Sequence, residues 1–470
     1  MNLKLRPYQT DIVDSLRSAF RAGCTAPLLQ APTGSGKTVI FAYITESAAN
    51  RGNRVMILVH RQELLRQSSD ALDYIGVDHG LIAPGKTYSF DNVQIASVQT
   101  LVRRLDSTPA PDLIVIDEAH HTAAGSWSKV LTRYCSNGSK TKLLGVTATP
   151  QRLDGKGLGR ESGGFYDRLV QGPTVQYLID QGFLSKPVVY APPTGVDLTD
   201  LHSRYGEYIA KELSDRVDKP KITGCAVSHY QRICPDAPAI AFCVSVNHAE
   251  HVAEQFRAAG VLSESIDGTL HDTVRKDRIA ALSDGRIKVL TSCEIVSEGT
   301  DIPIVTTAIL LRPTQSMGLH LQQCGRVLRP HPDKKFSIIL DHVGNSFRHG
   351  LPDEEREWSL DYEDRKKRKK SDSEIAMPYT QCEKCYRVYS SASRVCPECG
   401  HEREIEEREV EQVDGELEEI DKAALKRARR QEIANAKSLE ELEAYGASMG
   451  YKKGWAFHIH RSRQAKRGKV

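Results

Sequence analysis

One segment of this 470-residue chain restricts its fold more than any other: residues 31–38, with the sequence APTGSGKT, follow an apolar run at 26–30. Closely spaced glycines let consecutive backbone N–H groups point at phosphate oxygens at the start of a helix. In such a loop the Lys37 ammonium reaches the outer phosphates and the Thr38 hydroxyl binds Mg²⁺. The segment predicts a P-loop that binds a nucleotide through Thr33, Gly34, Ser35, Gly36, Lys37 and Thr38.

A second apolar run, Leu113–Asp117, ends in two acidic residues, Asp117 and Glu118. A carboxylate at the carboxyl end of a strand beside a P-loop can hold Mg²⁺, and a neighbouring carboxylate can accept a proton from attacking water. We therefore predict Asp117 as a Mg²⁺ ligand, together with Thr38, and Glu118 as the catalytic base. Two acids at a strand end are common on protein surfaces, so this prediction depends on the P-loop.

Short apolar runs alternate with helical patterns in two successive regions, which is typical of βαβ units in parallel sheets. We predict an α/β fold with tandem domains at 1–190 and 191–345. The expected strands lie at 26–30, 54–60, 93–97, 113–117 and 143–147, then at 239–244, 287–292, 306–311 and 336–341.

The eleven cysteines fall into two groups. Seven are scattered singly, and four form two CxxC pairs separated by ten residues: Cys382, Cys385, Cys396 and Cys399. Four thiolates in CxxC turns suit tetrahedral Zn²⁺, so we predict a zinc ribbon at 379–402. Disulfides or a redox CxxC are the alternatives, and the odd cysteine count argues against a disulfide framework. His401 could replace one cysteine but is interpreted as a bystander.

Charge dominates the remaining sequence. We predict a charged linker at 346–378, with six basic residues at 365–370, and an acidic then basic helical extension at 403–470. Residues 402–420 hold ten acidic and two basic side chains, and residues 421–470 hold five acidic and thirteen basic. The basic, aromatic tail suits nucleic acid or a solvated end equally. The ribbon or tail could instead bind a protein partner.

The sequence also excludes some classes of protein. No run approaches the roughly 20 apolar residues that a membrane span needs, and the first residues lack the apolar core of a signal peptide. We therefore predict a cytoplasmic protein without a membrane partner. The net charge of +3 does not by itself indicate nucleic-acid binding.

Further segments, in the same order along residues 3–345, resemble the motifs of superfamily 2 helicases of the DEAH type. They are 5–9 (LRPYQ), 59–64 (VHRQEL), 96–100 (ASVQT), 117–120 (DEAH), 146–150 (VTATP), 242–245 (FCVS), 297–303 (SEGTDIP) and 322–330 (QQCGRVLRP). The resemblance implies two RecA-like P-loop NTPase domains with ATP bound between them.

The resemblance also implies roles for particular residues. Gln9 would recognise the adenine, and His120 with residues 147–149 would transmit the state of the nucleotide to a bound strand. Arg326 and Arg329, three residues apart on a predicted helix, would supply the charge of an arginine finger. The other ATP-contacting residues that it implies are Arg6, Gly299 and Asp301.

The implied function is an ATP-dependent DNA helicase that couples hydrolysis to strand separation or translocation in replication, repair or recombination. Residues 117–121 (DEAHH) and 149–155 (TPQRLDG) are most similar to bacterial RadD-like DNA-repair helicases and related phage-encoded helicases. RNA-dedicated DEAD-box proteins have Asp where His120 stands. The expected partner is therefore DNA, single-stranded or branched.

Three alternatives stay open at this point. A double-stranded DNA translocase would use the same motifs without separating strands, and an RNA helicase would differ in its substrate. A non-catalytic scaffold could bind DNA through the ribbon and tail alone. The presence of Lys37, Asp117, Glu118 and Arg326 argues against the scaffold.

Overall fold

The computed structural model describes a chain of two compact units, Met1–Arg403 and Glu404–Val470. The described residues are 4–123, 125–136, 138–152, 157–191, 203–204, 207–218, 220–293, 302–360, 379–391, 393–403, 433, 436, 438–448, 456–457 and 460. The first unit contains two parallel sheets, each with its helices, and these two parts are called the first and second lobes.

The first lobe is built on a seven-stranded parallel sheet in the order β3-β4-β2-β5-β6-β1-β7. Every residue of β2 and β5 is buried, as expected of parallel strands with helices on both faces. The strands are β1 (Pro27–Gln30), β2 (Val55–Val59), β3 (Gly80–Ile82), β4 (Val93–Ser97), β5 (Leu113–Asp117), β6 (Lys142–Thr147) and β7 (Arg168–Gln171).

The helices of the first lobe cover both faces of this sheet. They are α1 (Pro7–Arg21), α2 (Lys37–Ala49), α3 (Gln62–Ile75), α4 (Val98–Leu101), α5 (Gly125–Cys135) and α6 (Val175–Asp180). Apolar residues at helical spacing bury one face of α1, including Ile12, Leu16 and Ala19. All strands of this sheet are parallel, so the loop after β1 and the end of β5 lie at the same carboxyl edge, separated only by β6.

The second lobe contains a six-stranded parallel sheet in the order β12-β13-β11-β14-β15-β8. Its strands are β8 (Pro187–Tyr190), β11 (Ala239–Phe242), β12 (Ser263–Ile266), β13 (Val289–Ser292), β14 (Thr307–Leu310) and β15 (Ser337–Asp341). A short antiparallel pair, β9 (Ser203–Arg204) and β10 (Glu207–Tyr208), precedes the helices. These are α7 (Ala210–Val217), α8 (Pro220–Ile233), α9 (Val246–Ala258), α10 (Asp272–Ser283), α11 (Met317–Val327) and α12 (Asn345–His349).

The pairing of the strands places the boundary between the two lobes before β8, slightly earlier than the predicted boundary at residue 190. Strand β8 pairs with β15, with Val188 opposite Ile338, and so belongs to the second lobe. Pro187 begins this edge strand. Proline is tolerated there because an edge strand does not need its missing N–H for a second ladder.

The first part of the predicted charged linker is packed against both lobes. Residues 351–360, called the strap, follow α12 and return to the first lobe. The Gly159 N–H donates to the Leu360 carbonyl at 3.0 Å, and Gln171 Nε2 donates to the Trp358 carbonyl at 3.2 Å. The strap thus connects the lobes a second time.

Apolar residues within a charged sequence explain why the strap packs. Leu360 joins the apolar core beneath β6, and Arg356 binds the carbonyls of His349 and Leu351 at 3.1 and 2.7 Å. The rest of the predicted linker, 361–378 with its basic run, lies outside the described residues.

A cysteine hairpin extends the open edge of the second sheet. Its strands β16 (Tyr379–Gln381) and β17 (Val388–Ser390) are antiparallel, and Arg387 pairs with Tyr190 at the end of β8. Val388 is buried in the core of the second lobe. The hairpin therefore covers the end of this edge strand, where its backbone would otherwise be open to pairing.

In the second unit, the predicted helical extension is described only in part. Helix α13 (Leu439–Ser448) begins with a capping box in which the Glu441 N–H donates to Ser438 Oγ at 3.1 Å. The Ser438 N–H donates to Glu441 Oε2 at 3.2 Å. Most of the predicted acidic and basic stretches lie outside the described residues. In the part of the chain that the structure describes, no helix has the length and apolar character needed to cross a membrane.

Gly145 in β6 provides a test of this packing. A Cβ there would lie 2.4 Å from a ring carbon of the buried Tyr166. We expect Gly145→Ala to lower the free energy of unfolding by about 1–3 kcal/mol, measured by urea denaturation. Gly125→Ala is the matched control, because its Cβ would meet open space. Equal effects of the two substitutions would contradict the packing described for β6.

Candidate functional site

The loop after β1 adopts a conformation that depends on two glycines. Gly34 and Gly36 have φ angles of +85° and +77°, and residues other than glycine rarely adopt such angles. A Cβ would lie 2.9 Å from Leu184 Cδ2 at Gly34 and 2.5 Å from Gln9 Nε2 at Gly36. A larger residue at either position would strain the backbone and would have to displace the neighbouring side chain.

Lys37 begins α2 and folds back over this loop. Its ammonium donates to the carbonyls of Ala31 and Pro32 at 3.3 and 3.2 Å. Burial lowers the pKa of Lys37, although Glu118 and Asp117 oppose this shift. The loop carbonyls are weak partners for a buried cation, so phosphate oxygens in the same place would be stronger ones.

The two acids at the end of β5, Asp117 and Glu118, both interact electrostatically with Lys37. Asp117 is buried, and burial followed by the neighbouring Glu118 raises its pKa to about 7. The Glu118 N–H donates to Asp117 Oδ1 at 3.0 Å. Glu118 has a φ of +52°, a strained value for this residue type, of a kind that is found at functional sites.

A chain of polar contacts leads from Glu118 toward the second lobe. His120 Nδ1 is 3.4 Å from Glu118 Oε2 and 3.1 Å from Thr147 Oγ1. The Thr147 hydroxyl donates to the Thr149 carbonyl at 3.1 Å, so Nδ1 of His120 must carry the proton in its contact with Thr147. Thr149 Oγ1 lies 2.8 Å from where a Cβ of Gly318 in α11 would be.

The adenine-side residues predicted from the resemblance are packed onto the P-loop. Gln9 Oε1 accepts from the Arg6 N–H at 2.9 Å, and Gln9 Nε2 donates to the Ser35 carbonyl at 3.3 Å. The Tyr8 hydroxyl donates to the same carbonyl at 2.8 Å. The Arg6 guanidinium lies 4.5 Å from the ring centroid of Phe183, a residue that the sequence analysis did not identify because only the fold brings it near Arg6.

The second lobe presents α11 and the residues after it to the P-loop. Gly325 packs so closely that a Cβ would be 2.5 Å from Thr33 Cβ, and Arg329 Cγ lies 3.8 Å from the Cβ position of Gly34. Arg326 is buried. Burial lowers the pKa of Arg329 to about 10, which leaves it charged at neutral pH.

The prediction that one helix carries both arginines is wrong. Helix α11 ends at Val327, and Arg329 follows it. Pro330 explains this end, because the residue before a proline avoids the helical conformation and proline has no N–H to donate. The structure nevertheless brings Arg329 to the P-loop.

A wide cleft of about 750 Å³ adjoins these residues and is lined by Thr38, Arg329 and parts of α3 and α10. Across it, Arg275 of α10 lies 3.6 Å from Glu63 of α3. This contact between the lobes was not predicted, since neither residue belongs to a nucleotide-binding pattern. Gly299 and Asp301 lie outside the described residues.

The four paired cysteines come together as predicted. Their Sγ atoms all lie within 4.8 Å of one another; the Cys382–Cys399 and Cys385–Cys396 distances are 3.5 and 3.6 Å. A tetrahedron with Zn–S bonds of roughly 2.3 Å has edges of about 3.8 Å, so the cluster is compatible with Zn²⁺. The His401 carbonyl accepts from the Cys396 N–H.

Comparison with known proteins gives two family matches. Residues 2–152 match the family described as type III restriction enzyme, res subunit. Residues 227–331 match the family described as helicase conserved C-terminal domain.

Two relatives match across most of this chain. A 51.5 kDa protein of a Lactococcus phage is 33% identical over 400 residues, covering 85% of this chain and 83% of the relative. The protein IRC3 of Saccharomyces cerevisiae, named as an ATP-dependent helicase, is 30% identical over 360 residues. That match covers 73% of this chain but only 52% of the yeast protein.

Among solved structures, the restriction-modification enzyme LlaBIII, described as ATP-dependent, type ISP and bound to DNA, superposes with a TM-score of 0.54 at 19% identity. The match covers 73% of this chain and 28% of that enzyme. At this level of identity the match establishes the fold alone.

Substitutions at Lys37 and Glu118 test the proposed roles in ATP hydrolysis without changing the fold. We expect Lys37→Ala to abolish ATP hydrolysis, because it removes the cation that faces the phosphates. Glu118→Gln should retain ATP binding but stop turnover, because the amide cannot accept the proton of water. Substantial steady-state turnover in either variant, with an unchanged circular dichroism spectrum, would contradict the assigned roles.

The raised pKa of Asp117 predicts a pH dependence. A protonated carboxyl cannot bind Mg²⁺, so Mg²⁺-dependent ATP affinity should fall as the pH decreases through about 7, by up to about tenfold per pH unit. Titration of a fluorescent ATP analogue with Mg²⁺ at pH 6 and 8 measures this. The phosphates of ATP also change protonation in this pH range, so Asp117→Asn is the control. This variant should lose the part of the pH dependence of ATP affinity that comes from the protein. The same dependence in both proteins would exclude Asp117 as its source.

Proposed function

Because this chain belongs to the superfamily 2 helicases, we propose that it is a DNA-stimulated ATPase that uses hydrolysis to move along DNA or to separate its strands. The family implies ATP hydrolysis. The observation that most supports coupled movement is the contact path from Glu118 through His120 and Thr147 to Thr149, which adjoins α11.

ATP would bind with its phosphates on the loop 33–38. Asp117 and the Thr38 hydroxyl provide oxygen ligands of the kind that Mg²⁺ prefers, and the raised pKa of Asp117 indicates a buried carboxylate that lacks sufficient positive charge. When bound, Mg²⁺ neutralises charge on the phosphates. Lys37 would leave the loop carbonyls to contact the β- and γ-phosphates.

Hydrolysis would require residues from both lobes. Glu118 accepts the proton of the attacking water, while Arg326 and Arg329 stabilise the charge that develops on the γ-phosphate. The packing of Gly325 on Thr33 supports this assignment, because it places α11 directly against the P-loop. Gly299 and Asp301 are proposed to contribute from the second lobe as well.

Recognition of the adenine is assigned to the residues around Gln9. The Arg6 guanidinium stacked on Phe183 and the Gln9 amide held against Ser35 lie on the same side of the P-loop. An amide with a donor and an acceptor can pair with the edge of a base. We therefore assign Gln9 to the adenine edge and Arg6 to the neighbouring ring face.

DNA is favoured over RNA as the nucleic acid. LlaBIII, which shares the fold, was determined with DNA, and His120 stands where RNA-dedicated DEAD-box proteins have Asp. A role of this chain in replication, repair or recombination stays a prediction. The same holds for its narrower resemblance to RadD-like helicases. A translocase that does not separate strands, or an RNA helicase, is the competing function.

The cysteine cluster is assigned a bound Zn²⁺ through Cys382, Cys385, Cys396 and Cys399. Zinc would stabilise the hairpin that covers β8, because a segment this short buries little apolar surface. The tail stays a candidate nucleic-acid or protein surface.

A panel of nucleic acids tests this function. ATP turnover and strand displacement should be measured on single-stranded DNA, blunt duplex, forked DNA and matching RNA, with Lys37→Ala as the inactive control. We expect stimulation by DNA and displacement on forks. Stimulation by duplex without displacement would favour the translocase, and stimulation by RNA alone would contradict the proposal.

Arg326→Ala tests the contribution of the second lobe. We expect kcat to fall by about 10³-fold or more, as for other arginine fingers, with little change in ATP affinity. Arg286→Ala is the control, since it removes an exposed arginine of the same lobe that pairs with Asp277 and Asp284. If Arg326→Ala weakened only ATP binding, Arg326 would be a binding residue, and its proposed role in stabilising charge on the γ-phosphate would be wrong.

A further inference from the structure

The two halves of the cysteine cluster share a backbone turn but carry different residues at its left-handed position. After Cys385, Tyr386 has a φ of +64°, and after Cys399, Gly400 has a φ of +69°. The N–H groups of Tyr386 and Gly400 donate to the carbonyls of Cys382 and Cys396 at 2.9 and 3.0 Å. The turn thus requires a left-handed residue, which favours glycine, yet the first knuckle has tyrosine.

Residues held in a strained backbone conformation cluster at functional sites, and Tyr386 is such a residue. The Tyr386 ring is 40% exposed and lies 5.3 Å from the Arg232 guanidinium of α8. It forms one wall of a cavity of about 190 Å³ between the hairpin and the second lobe. A hairpin that only bound zinc would not need an aromatic ring at this position.

The cavity suits a flat aromatic ligand. Its lining is largely aromatic or aliphatic: Tyr190, Ile233, Leu340 and Tyr386, with His229 and His342. The rings of His229 and His342 are stacked, with centroids 5.2 Å apart. Ligand sites of this kind combine apolar walls with a few polar groups that set orientation.

Two polar groups are positioned to meet such a ligand. His342 Nε2 is buried and has no hydrogen-bond partner among the described residues, and such atoms are rare without a ligand or water. Arg232 is exposed and forms no ion pair within the described part of the chain. The carboxylate of Asp341, by contrast, already accepts from the N–H groups of Val343, Asn345 and Ser346.

The cavity also lies where α/β domains bind ligands. Tyr190 ends β8, and Asp341 and His342 lie at the end of β15, so the cavity is outside the carboxyl ends of two parallel strands. Ligands of open parallel sheets bind at this edge. The nucleotide site of the first lobe lies at the corresponding edge of its own sheet.

We propose that this cavity binds one unpaired base of a nucleic-acid strand, stacked on Tyr386, with the phosphate of that nucleotide against Arg232. Base-stacking aromatics and basic side chains are the usual combination for single strands. The proposal rests on the nucleic-acid binding proposed above. It gives the cysteine hairpin a role in holding a strand as well as in covering β8.

Tyr386→Gly is the decisive variant, because Gly400 shows that the same turn accepts glycine. We expect unchanged zinc content and equal or higher thermal stability, but about 5- to 150-fold weaker binding of single-stranded DNA, the range for loss of one stacked base. Fluorescence anisotropy of a labelled oligonucleotide measures the affinity. Tyr386→Phe should restore binding, and Tyr177→Ala, which removes a tyrosine of similar exposure, should have no effect.

A second measurement separates stacking from a structural role. An oligonucleotide in which all bases are removed should bind wild-type protein and Tyr386→Gly equally, and 2-aminopurine in a normal strand should be quenched only when Tyr386 is present. If wild type binds DNA but Tyr386→Gly binds equally well, the base pocket is wrong and the helicase proposal stands. If wild type binds no nucleic acid, both proposals fail.

Discussion

The structure depends on burying opposite charges together at the carboxyl edge of the first sheet. Asp117 and Glu118 lie close enough to Lys37 to affect its pKa, and the second lobe adds Arg326 and Arg329. Burial raises the pKa of Asp117 and lowers those of Lys37 and Arg329. Buried charges are costly unless each has good partners. A bound nucleotide with its metal ion would supply such partners and so would lower the free energy of this group of charges.

The contacts between the two lobes converge on the loop after β1. Glycines shape the loop after β1, and α11 approaches it so closely that Gly325 has no room for a side chain. The strap returns from the second lobe to Gly159 and Gln171 of the first. Helix α11 and the contacts of His120 thus form two links between the candidate nucleotide site and the second lobe.

The sequence predicted the features whose causes are local. Continuous apolar runs located the central strands such as β2 and β5. The spacing of glycine, lysine and acid predicted a phosphate site from Lys37, Asp117 and Glu118, which the structure brings together. It missed β12, whose residues Ser263–Ile266 are mainly polar because the strand lies at a sheet edge, and it placed the domain division at residue 190, after β8. It also could not place Phe183 beside Arg6 or Tyr386 beside Arg232, since these contacts join residues far apart in the chain.

The central claim is that one chain supplies both halves of the catalytic site. Mixing inactive Lys37→Ala protein with inactive Arg326→Ala protein tests it most directly, with DNA-stimulated ATP turnover as the readout. If the P-loop and the arginine act within the same chain, the mixture should stay inactive at every ratio and concentration. Recovery of turnover in proportion to mixed complexes would show that the arginine acts on a neighbouring chain and would contradict this account.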